Sequence, residues 1–363
     1  MLQDCLRGIR VLDLSQYIPG PFATLTLSDL GADVVKVEPP AGDPMRGFGP
    51  LGEGGVSPLY ACLNGNKTVL KLDLKRPEGV AALTALVAHA DVMLESYRPG
   101  TLDKLGFGRQ RLAALNPGLI HCALSGFGQD GPYRLRAGHD MTYLALTGGL
   151  SVTGTKETPV MPFPPLADHA GAMQAVIAIM AALIGRGRSG RGCGLDVSLF
   201  ESALSWQYMA LAEPGMRRGE ALINGGAAYY RVYRTADGRF AAFAPLEPKF
   251  WQAFCAAVAR PDLAPRQAEP LPQTALIAEL ETLFAGRTLA EWKALLDPAD
   301  CCFEAVLEPA EVAAHPHVAA RGLIAEGGAV LFPCRIADTP PPARRPWREG
   351  TVSEVVEAWS PER

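Results

Sequence analysis

Ile9-Arg-Val-Leu-Asp-Leu14 and Asp33-Val-Val-Lys-Val37 are two short β-rich runs, and the stretch between them decides the fold. That stretch holds a proline-glycine loop, Ile18-Pro-Gly-Pro21, and a helical segment that ends near Leu30, where Gly31 stops it. A strand, loop, helix and strand within about thirty residues form a βαβ unit, whose strands are parallel and whose crossover is right-handed. No GxGxxG motif follows the first strand, so the nicotinamide and flavin fingerprint is missing.

The same alternation continues through roughly residue 185. Further β-rich runs occupy 68–74, 91–94 and 119–124, and 77–89 is typical of a helix opened by proline. This pattern predicts an α/β fold with a Rossmann-like parallel sheet. Ligands of such folds bind beyond the carboxyl ends of the strands. The segments expected at that edge are 16–21, 95–98 and 125–128.

The second half of the chain has a different character. Residues 194–204 predict a strand running into a helix, and 230–243 predict a β-hairpin with Asp237-Gly238 at its turn. Helical segments follow at 248–258 and 289–296, and a proline-rich run near the end is expected to wrap over another surface. We therefore predict a large Rossmann-like domain at 1–187, a linker at 188–225, a small α+β domain at 226–312 and a C-terminal segment at 313–363.

Composition excludes several classes of protein. The 363 residues are 48% hydrophobic and 20% charged with a net charge of −4, which is typical of a soluble globular chain. No long Lys/Arg run occurs, so no nucleic-acid partner is expected. No apolar signal-peptide core follows Met1, and the apolar run 170–184 predicts a buried helix too short and too mild to span a membrane. Eight cysteines without metal-ligand spacing predict reduced thiols in a cytoplasmic protein and no metal site.

Two side chains that exchange protons lie in neighbouring glycine-rich segments. His139 falls in Ala137–Tyr143, and Asp168 falls in Leu166–Gly171, just before the long apolar run. A lone histidine is more often structural, and an aspartate in this position is also the preferred N-cap of a helix. Capping and catalysis are compatible, because a helix N-terminus keeps a carboxylate ionised and ready as base or nucleophile.

Other polar residues leave two interpretations open. Glu247 is either a surface acid or a partner of the catalytic groups. Arg46, Arg98 and Lys104 are either phosphate ligands or solvated charges. Asn64-Gly-Asn-Lys67 is either a backbone loop near a ligand or a plain turn.

Over nearly its whole length the chain resembles the class III CoA-transferase superfamily (CaiB/BaiF type), and within it the alpha-methylacyl-CoA racemases. The motifs that carry the resemblance are Gly8-Ile-Arg-Val-Leu-Asp-Leu14, Pro19-Gly-Pro21, Leu30–Glu38, Asn66-Lys67, Leu72–Lys75, Glu95–Gly100, Leu105-Gly106, Ser125–Pro132, Arg188–Gly192 and Asp196-Val-Ser198.

The resemblance implies acyl-CoA substrates, with coenzyme A as part of the substrate and no tightly bound cofactor. It also implies an interlocked homodimer in which the end of the chain returns to the large domain. Asp168 matches the family's catalytic aspartate, and His139 belongs to a segment similar to the racemase motif Gly-His-Asp-x-x-Tyr. Glu247 and Asp140 are implied to orient that pair or hold its charge. The residues implied to bind coenzyme A are Ile18, Arg46, Leu72, Ser96, Tyr97, Arg98, Lys104, Arg136 and Gly138.

Two reactions fit this family. The first is racemisation of 2-methyl-branched acyl-CoA thioesters by two-base proton transfer through an enolate. The second is CoA transfer between carboxylic acids through an Asp168 anhydride. A non-catalytic acyl-CoA binding protein is a third interpretation. Only Gly225-Gly226 remain of the longer glycine loop of oxalate-linked transferases, which favours the racemase. Asn64–Lys67 resembles the transferases instead, and His169-Ala follows Asp168 where an aromatic-glycine pair is usual.

Overall fold

A computed structural model describes residues 4–52, 54–325, 328–335 and 339–360. In those residues the strands are, in chain order, β1 (Arg10–Leu14), β2 (Asp33–Glu38), β3 (Thr68–Lys71), β4 (Val92–Glu95), β5 (Ile120–Ser125), β6 (Gly194–Ser198), β7 (Arg231–Arg234), β8 (Phe240–Phe243), β9 (Phe303–Ala305) and β10 (Arg348–Glu349).

The helices interleave with the strands as the alternating pattern predicts. Those in the described ranges are α1 (Pro19–Asp29), α2 (Pro58–Leu63), α3 (Pro77–His89), α4 (Thr101–Lys104), α5 (Arg109–Leu115), α6 (Asp140–Leu146), α7 (Gly149–Val152), α8 (Leu166–Ser189), α9 (Leu199–Ser205), α10 (Tyr208–Ala212), α11 (Pro248–Ala257), α12 (Thr274–Phe284), α13 (Leu289–Leu296), α14 (Pro309–Val312), α15 (Pro316–Arg321) and α16 (Val352–Trp359).

The chain forms two compact units. The first combines Met1–Thr147, Phe163–Trp206 and Pro316–Arg363, and the second combines Gly148–Pro162 and Gln207–His315. Residues 188–225, predicted as a linker, contain β6 and α9. Strand β6 hydrogen-bonds along β5 and extends the sheet of the first unit, whereas the residues from Gln207 onward belong to the second unit.

The first unit is built on a parallel sheet, as predicted. Its strand order, over the residues described, is β10-β3-β2-β1-β4-β5-β6, and every neighbouring pair is parallel. Strands β1 to β6 follow the doubly wound order 3-2-1-4-5-6, so the α/β fold class is confirmed. Along β1, Val11 packs into one apolar core with Leu27, whereas Leu12 packs into the other with Leu83. Successive side chains of a strand point to opposite faces, so both faces of the sheet are covered.

The strand order places a candidate ligand site. After β1 the chain moves outward to β2 and β3, and it then returns to place β4 on the other side of β1. Ligands of open α/β sheets bind at such a switch point, outside the carboxyl ends of the strands. The loops after β1 and β4 therefore meet at this edge.

Helix α8 is longer than predicted, and one side of it is exposed. The sequence predicted a buried helix at 170–184, but α8 runs over Leu166–Ser189. Near its end the Arg186 guanidinium lies 2.9 Å from the Asp91 carboxylate. Ala172 and Ile179 are buried, whereas Ile177 and Ile184 are 57% and 63% exposed. By length and composition alone, α8 is the one helix of the described residues that could cross a membrane, and within the first unit it packs on α1 and α9.

The C-terminal segment is attached to the first unit by polar contacts and by β pairing. The Arg344 guanidinium meets both carboxylate oxygens of Asp29 at 2.7 Å, and β10 lies parallel to β3. The Trp359 indole N–H donates to Asp33 at 2.6 Å.

The second unit contains an antiparallel sheet, ordered β7-β8-β9 within the residues described, over an aromatic core. The predicted hairpin is confirmed, since β7 and β8 pair antiparallel and the Thr235 N–H donates to the Arg239 carbonyl at 2.9 Å. Gly238 at this turn has a φ of 78°, which glycine adopts without steric cost. Tyr233 stacks on Phe284 with the ring centroids 4.7 Å apart.

Candidate functional site

A cavity of about 290 Å³ lies in the first unit, at the carboxyl edge of the parallel sheet. The loops after β1, β4 and β5 all contribute to it, as the sequence predicted for 16–21, 95–98 and 125–128. The segment from Arg134 to His139 and the first turn of α8 complete its wall. Both predicted proton-exchanging residues, His139 and Asp168, line this cavity.

His139 stands at the start of α6 with its side chain exposed. Its backbone N–H donates to the Thr142 hydroxyl oxygen at 2.9 Å, and that hydroxyl donates to the His139 carbonyl at 2.8 Å. Thr142 therefore closes the helix start through the backbone of His139. Because the backbone makes these contacts, the imidazole is not required for capping.

The prediction that Asp168 caps the long helix is wrong. Asp168 is the third residue of α8, and the cap comes from another helix. The Asp140 carboxylate accepts the N–H groups of Ala167 at 2.5 Å and Asp168 at 3.0 Å. A cap supplied from α6 across the fold leaves no signal next to α8 in the sequence. It also leaves the side chain of Asp168 to line the cavity.

The expectation that Asp168 is held ionised is wrong as well. Burial of the carboxyl, and then the negative charge of Asp140, raise the pKa of Asp168 from 3.8 to about 7. The N–H groups at the start of α8 that would favour the ionised form bond to Asp140 instead. At neutral pH both protonation states of Asp168 are populated, which suits a group that accepts and returns protons.

Tyr143 is a cavity residue that the sequence identified only as the end of a motif. A methyl group on Gly126 or Gly138 would lie 2.4 or 2.5 Å from atoms of its side chain, so both positions require glycine. Burial, and then the charge of Asp168, raise the pKa of Tyr143 to about 12. Its hydroxyl therefore stays protonated at neutral pH and is able to donate a hydrogen bond. The sequence does hold a signal for Tyr143, because it lies four residues after His139 and residues four apart share one face of a helix.

Five of the residues implied to bind coenzyme A line the cavity. They are Ser96, Tyr97, Arg98, Arg136 and Gly138. Arg134, Gln16 and Tyr17 join them, and of these only Arg134 lies outside every segment that the sequence singled out as a ligand edge. Arginines at the wall of a cavity suit phosphate or carboxylate groups, whose oxygens accept paired N–H bonds.

The other four implied residues do not belong to this wall. Ile18 immediately precedes α1, Leu72 packs against the apolar core, and Lys104 is exposed at the end of α4. The Arg46 Nε atom lies 2.7 Å from a Glu38 carboxylate oxygen. Its guanidinium carbon is 4.5 Å from the ring centroid of Tyr60 and 4.7 Å from that of Trp347.

Glu247 and His169 have distinct surroundings. Glu247 belongs to the second unit, where it is exposed and precedes α11. His169 Nδ1 lies 2.6 Å from the Pro165 carbonyl oxygen, and its ring meets Phe22 edge-on at 5.0 Å. These contacts give His169 a structural role in the first turn of α8. In the described residues, no group of three or more His, Cys, Asp or Glu side chains is placed to hold a metal ion.

Comparison with known proteins identifies the family. The chain belongs to CoA-transferase family III, whose family model matches residues 6–346. It is 38% identical to human alpha-methylacyl-CoA racemase over 327 residues, which cover 87% of this chain and 81% of that protein. It is 37% identical to succinyl-CoA–D-citramalate CoA-transferase of Chloroflexus aurantiacus over 294 residues, which cover 78% of this chain and 73% of that protein.

The solved structure of a CaiB/BaiF family protein from Brucella suis has the same fold. It matches with a TM-score of 0.84 at 30% identity and covers 98% of this chain and 99% of that chain. The resemblance to the superfamily is thereby confirmed. Racemases and transferases are similar to this chain to nearly the same degree, so the choice between the two reactions depends on the site.

Proposed function

We propose that this protein is a racemase or epimerase of 2-methyl-branched acyl-CoA thioesters. The observation that carries the proposal is that one cavity is lined by both His139 and Asp168, the latter with a pKa raised to about 7. A carboxyl with that pKa changes protonation state near neutral pH, and histidine is the side chain most often used as a general acid or base. A reaction that removes a proton from one face of a carbon and returns one to the other face needs two groups of this kind.

The proposed reaction begins at the carbon next to the thioester carbonyl. One of the two groups, deprotonated, abstracts the α-proton, and the electron pair moves onto the carbonyl oxygen to form an enolate. The other group, protonated, delivers a proton to the opposite face and the carbonyl re-forms. The two groups finish with exchanged protonation states, so the reverse reaction uses them in reversed roles. Hydrogen-bond donors must stabilise the enolate oxygen, and the protonated Tyr143 hydroxyl is one donor that lines the cavity.

The remaining residues are proposed to bind and orient the substrate. Arg98, Arg134 and Arg136 would hold phosphate groups of coenzyme A, which enters and leaves as part of the substrate. Asp140 fixes the start of α8 and raises the pKa of Asp168. The role of Glu247 and the interlocked homodimer stay predictions.

The second candidate function is CoA transfer, which the similarity to succinyl-CoA–D-citramalate CoA-transferase favours. In that reaction the Asp168 carboxylate attacks the thioester carbonyl, the C–S bond breaks, and CoA leaves as a mixed anhydride forms. The CoA thiolate then attacks the Asp168 carbonyl carbon of this anhydride, so the donor acid leaves as a carboxylate and Asp168 carries CoA as a thioester. The acceptor carboxylate attacks that thioester and CoA leaves again, and CoA finally attacks the acceptor carbonyl, which forms the new acyl-CoA and frees the Asp168 carboxylate. The short Gly225-Gly226 loop, compared with that of oxalate-linked transferases, supports the racemase over this alternative.

Deuterium exchange separates the two reactions. A single enantiomer of a 2-methylacyl-CoA is incubated with the protein in D2O without any acceptor acid. We expect deuterium to enter the α-carbon as optical purity is lost. If the α-carbon stays protiated and CoA moves only after a free acid is added, the racemase proposal is overturned.

Two histidine variants give the matched control. His139→Ala is expected to slow deuterium incorporation by at least about 100-fold, the usual contribution of a general acid or base. His317→Ala changes an exposed histidine on α15 that does not line the cavity, and its rate should equal that of the wild type.

A further inference from the structure

The segment from Ser15 to Tyr17, which joins β1 to α1, is held in an unusual conformation. Gln16 and Tyr17 line the cavity, and Tyr17 has a φ of 64°. A residue other than glycine adopts that conformation only where the surrounding structure enforces it. Ser15 also packs so closely on Gly20 that a methyl group there would lie 2.1 Å from the Ser15 Cβ atom. The contacts that enforce this conformation come from side chains beneath the segment.

Ser15 is bonded at both of its backbone polar groups. Its carbonyl accepts the Lys36 ammonium at 2.7 Å, and its N–H donates to the Asp13 carboxylate at 3.0 Å. Both partners are fully buried. The next residue is bonded as well, since the Gln16 N–H donates to the Ser96 hydroxyl at 3.1 Å.

Asp43 supplies the last of these contacts. One of its carboxylate oxygens accepts the N–H groups of Tyr17 at 3.4 Å and Met45 at 2.9 Å. The other lies 3.0 Å from the Lys36 ammonium, and both side chains are completely buried. Lys36 and Asp43 therefore form one ion pair whose two members hold opposite ends of the same three-residue segment.

A second buried ion pair lies beside the first. The Lys67 ammonium lies 3.1 Å from the Asp13 carboxylate and bonds to Thr24 at 2.8 Å, Pro21 at 2.9 Å and Asn64 at 3.1 Å. This explains the Asn64-Gly-Asn-Lys67 motif, whose lysine points into the protein interior and ties the start of α1 to β1.

The two pairs balance in charge, which permits their burial. A buried charge is strongly unfavourable unless it is paired and hydrogen-bonded. Burial alone would raise the pKa of the Asp13 carboxyl, but the ammonium groups of Lys36 and Lys67 hold it well below its usual value. Loss of one member would leave its partner charged and unpaired. A substitution that removes one charge of a pair must therefore be combined with one that removes the other.

We propose that Lys36 and Asp43 are positioning residues for substrate binding, which hold Gln16 and Tyr17 in the wall of the acyl-CoA cavity. Neither Lys36 nor Asp43 lines that cavity, so both act through the backbone of the loop. The assignment rests on the proposed function for the identity of the ligand. Loosening the loop removes contacts made equally by substrate and transition state, so KM should rise while kcat changes little.

The test uses a paired substitution and a paired control. Lys36→Met with Asp43→Asn removes both charges together, and asparagine keeps an oxygen to accept the N–H groups of Tyr17 and Met45. The hydrogen bond to the Ser15 carbonyl is lost, and so is the Lys36 charge that acts on Asp13, whose other partner Lys67 remains. Lys71→Met with Glu349→Gln removes an exposed ion pair of the same sheet, 3.5 Å apart and 46% and 63% exposed.

Calorimetric titration with a 2-methylacyl-CoA and with CoA alone measures the effect. We expect the Lys36→Met, Asp43→Asn variant to bind both ligands about tenfold more weakly, which is the equivalent of one hydrogen bond from a charged donor. The Lys71→Met, Glu349→Gln control should bind them as the wild type does. Steady-state kinetics should show the same increase in KM. In the Lys36→Met, Asp43→Asn variant, the amides of 15–17 should exchange faster than in the wild type, and those of β1 should exchange at the same rate.

Different results overturn different statements. Equal ligand affinity in the first pair and the wild type overturns the positioning role and leaves the proposed function standing. A wild-type protein that binds no acyl-CoA overturns the proposed function and this assignment with it. Hydrogen exchange of the wild type tests the assignment even if the variants do not fold. Without ligand, the amides of 15–17 should exchange as slowly as those of β1, and rapid exchange overturns the assignment.

Discussion

Replacing Asp140 with asparagine should move the pH dependence of the reaction without disturbing α8. Asparagine has nearly the same shape and keeps an oxygen that accepts the N–H groups of Ala167 and Asp168, which now bond to Asp140 at 2.5 and 3.0 Å. The negative charge beside the carboxyl of Asp168 is removed. Because like charges disfavour ionisation, the pKa of Asp168 should fall.

The size of this change follows from the causes of the raised pKa. Asp168 is raised from 3.8 to about 7, with burial as the larger cause and Asp140 as the smaller. Removing the smaller cause therefore reverses less than half of the increase. We expect a change of about one pH unit, which corresponds to ~1.4 kcal/mol.

The assay is racemisation measured from both enantiomers across a range of pH. When Asp168 is the base, it must be ionised, and its pKa governs the acidic limb of the rate profile. When Asp168 is the acid, it must be protonated, and the same pKa governs the alkaline limb. Both limbs should move to lower pH by about one unit in the Asp140→Asn variant.

The control is Glu78→Gln, which removes an exposed negative charge from the first turn of α3 and leaves the cavity lining unchanged. Its profile should coincide with that of the wild type. Limbs that stay in place in Asp140→Asn, or that move to higher pH, would refute the assignment of Asp140 as the neighbouring charge.

Two further predictions concern stability. The folded pKa of Asp168 lies above its unfolded value, so its contribution to stability is fully present below ~pH 4 and is lost as the pH rises through about 7. Asp168→Asn should therefore raise the free energy of unfolding at pH 8, by on the order of 4 kcal/mol at most, with little change at ~pH 4. Urea unfolding at both pH values checks this, and a less stable variant at pH 8 contradicts it. Gly138→Ala should destabilise the protein by about 1–3 kcal/mol, because its methyl group would clash with Tyr143. Thermal unfolding measures this effect, and in the same measurement Gly187→Ala, in α8 with nothing within 4 Å, should be neutral or stabilising. Equal effects of the two substitutions would contradict the steric argument.

Patterns repeated along the chain predicted the framework of the site. The runs at β1, β2, β4 and β5 were recognisable because buried parallel strands are short and apolar, and proline and glycine separate them from helices. The edge at which the cavity forms followed from the same rule, since parallel strands present their carboxyl ends together. The segments containing Gln16, Ser96 and Ser125 are therefore predicted to meet, and all three residues line the cavity.

Contacts between distant residues could not be predicted in this way. The N-cap of α8 comes from Asp140, some distance earlier in the chain, whereas the local signal indicated Asp168. The sequence places Lys67 in a turn, where a charged side chain is expected to be exposed, yet Lys67 is completely buried against Asp13. In both cases the partner lies on another element, and a local pattern holds no information about which side chain an adjacent element will supply.

The sequence by itself determined the alternation of strands and helices, the family, and the pairing of a histidine with an aspartate as candidate groups. These properties depend on local periodicity and on residue identity. Only the tertiary structure decided how Asp168 ionises, because its pKa depends on burial and on the distance to the Asp140 charge. It also decided that buried ion pairs hold the loop of Gln16 and Tyr17, since charges leave water only where the fold brings their partners within reach.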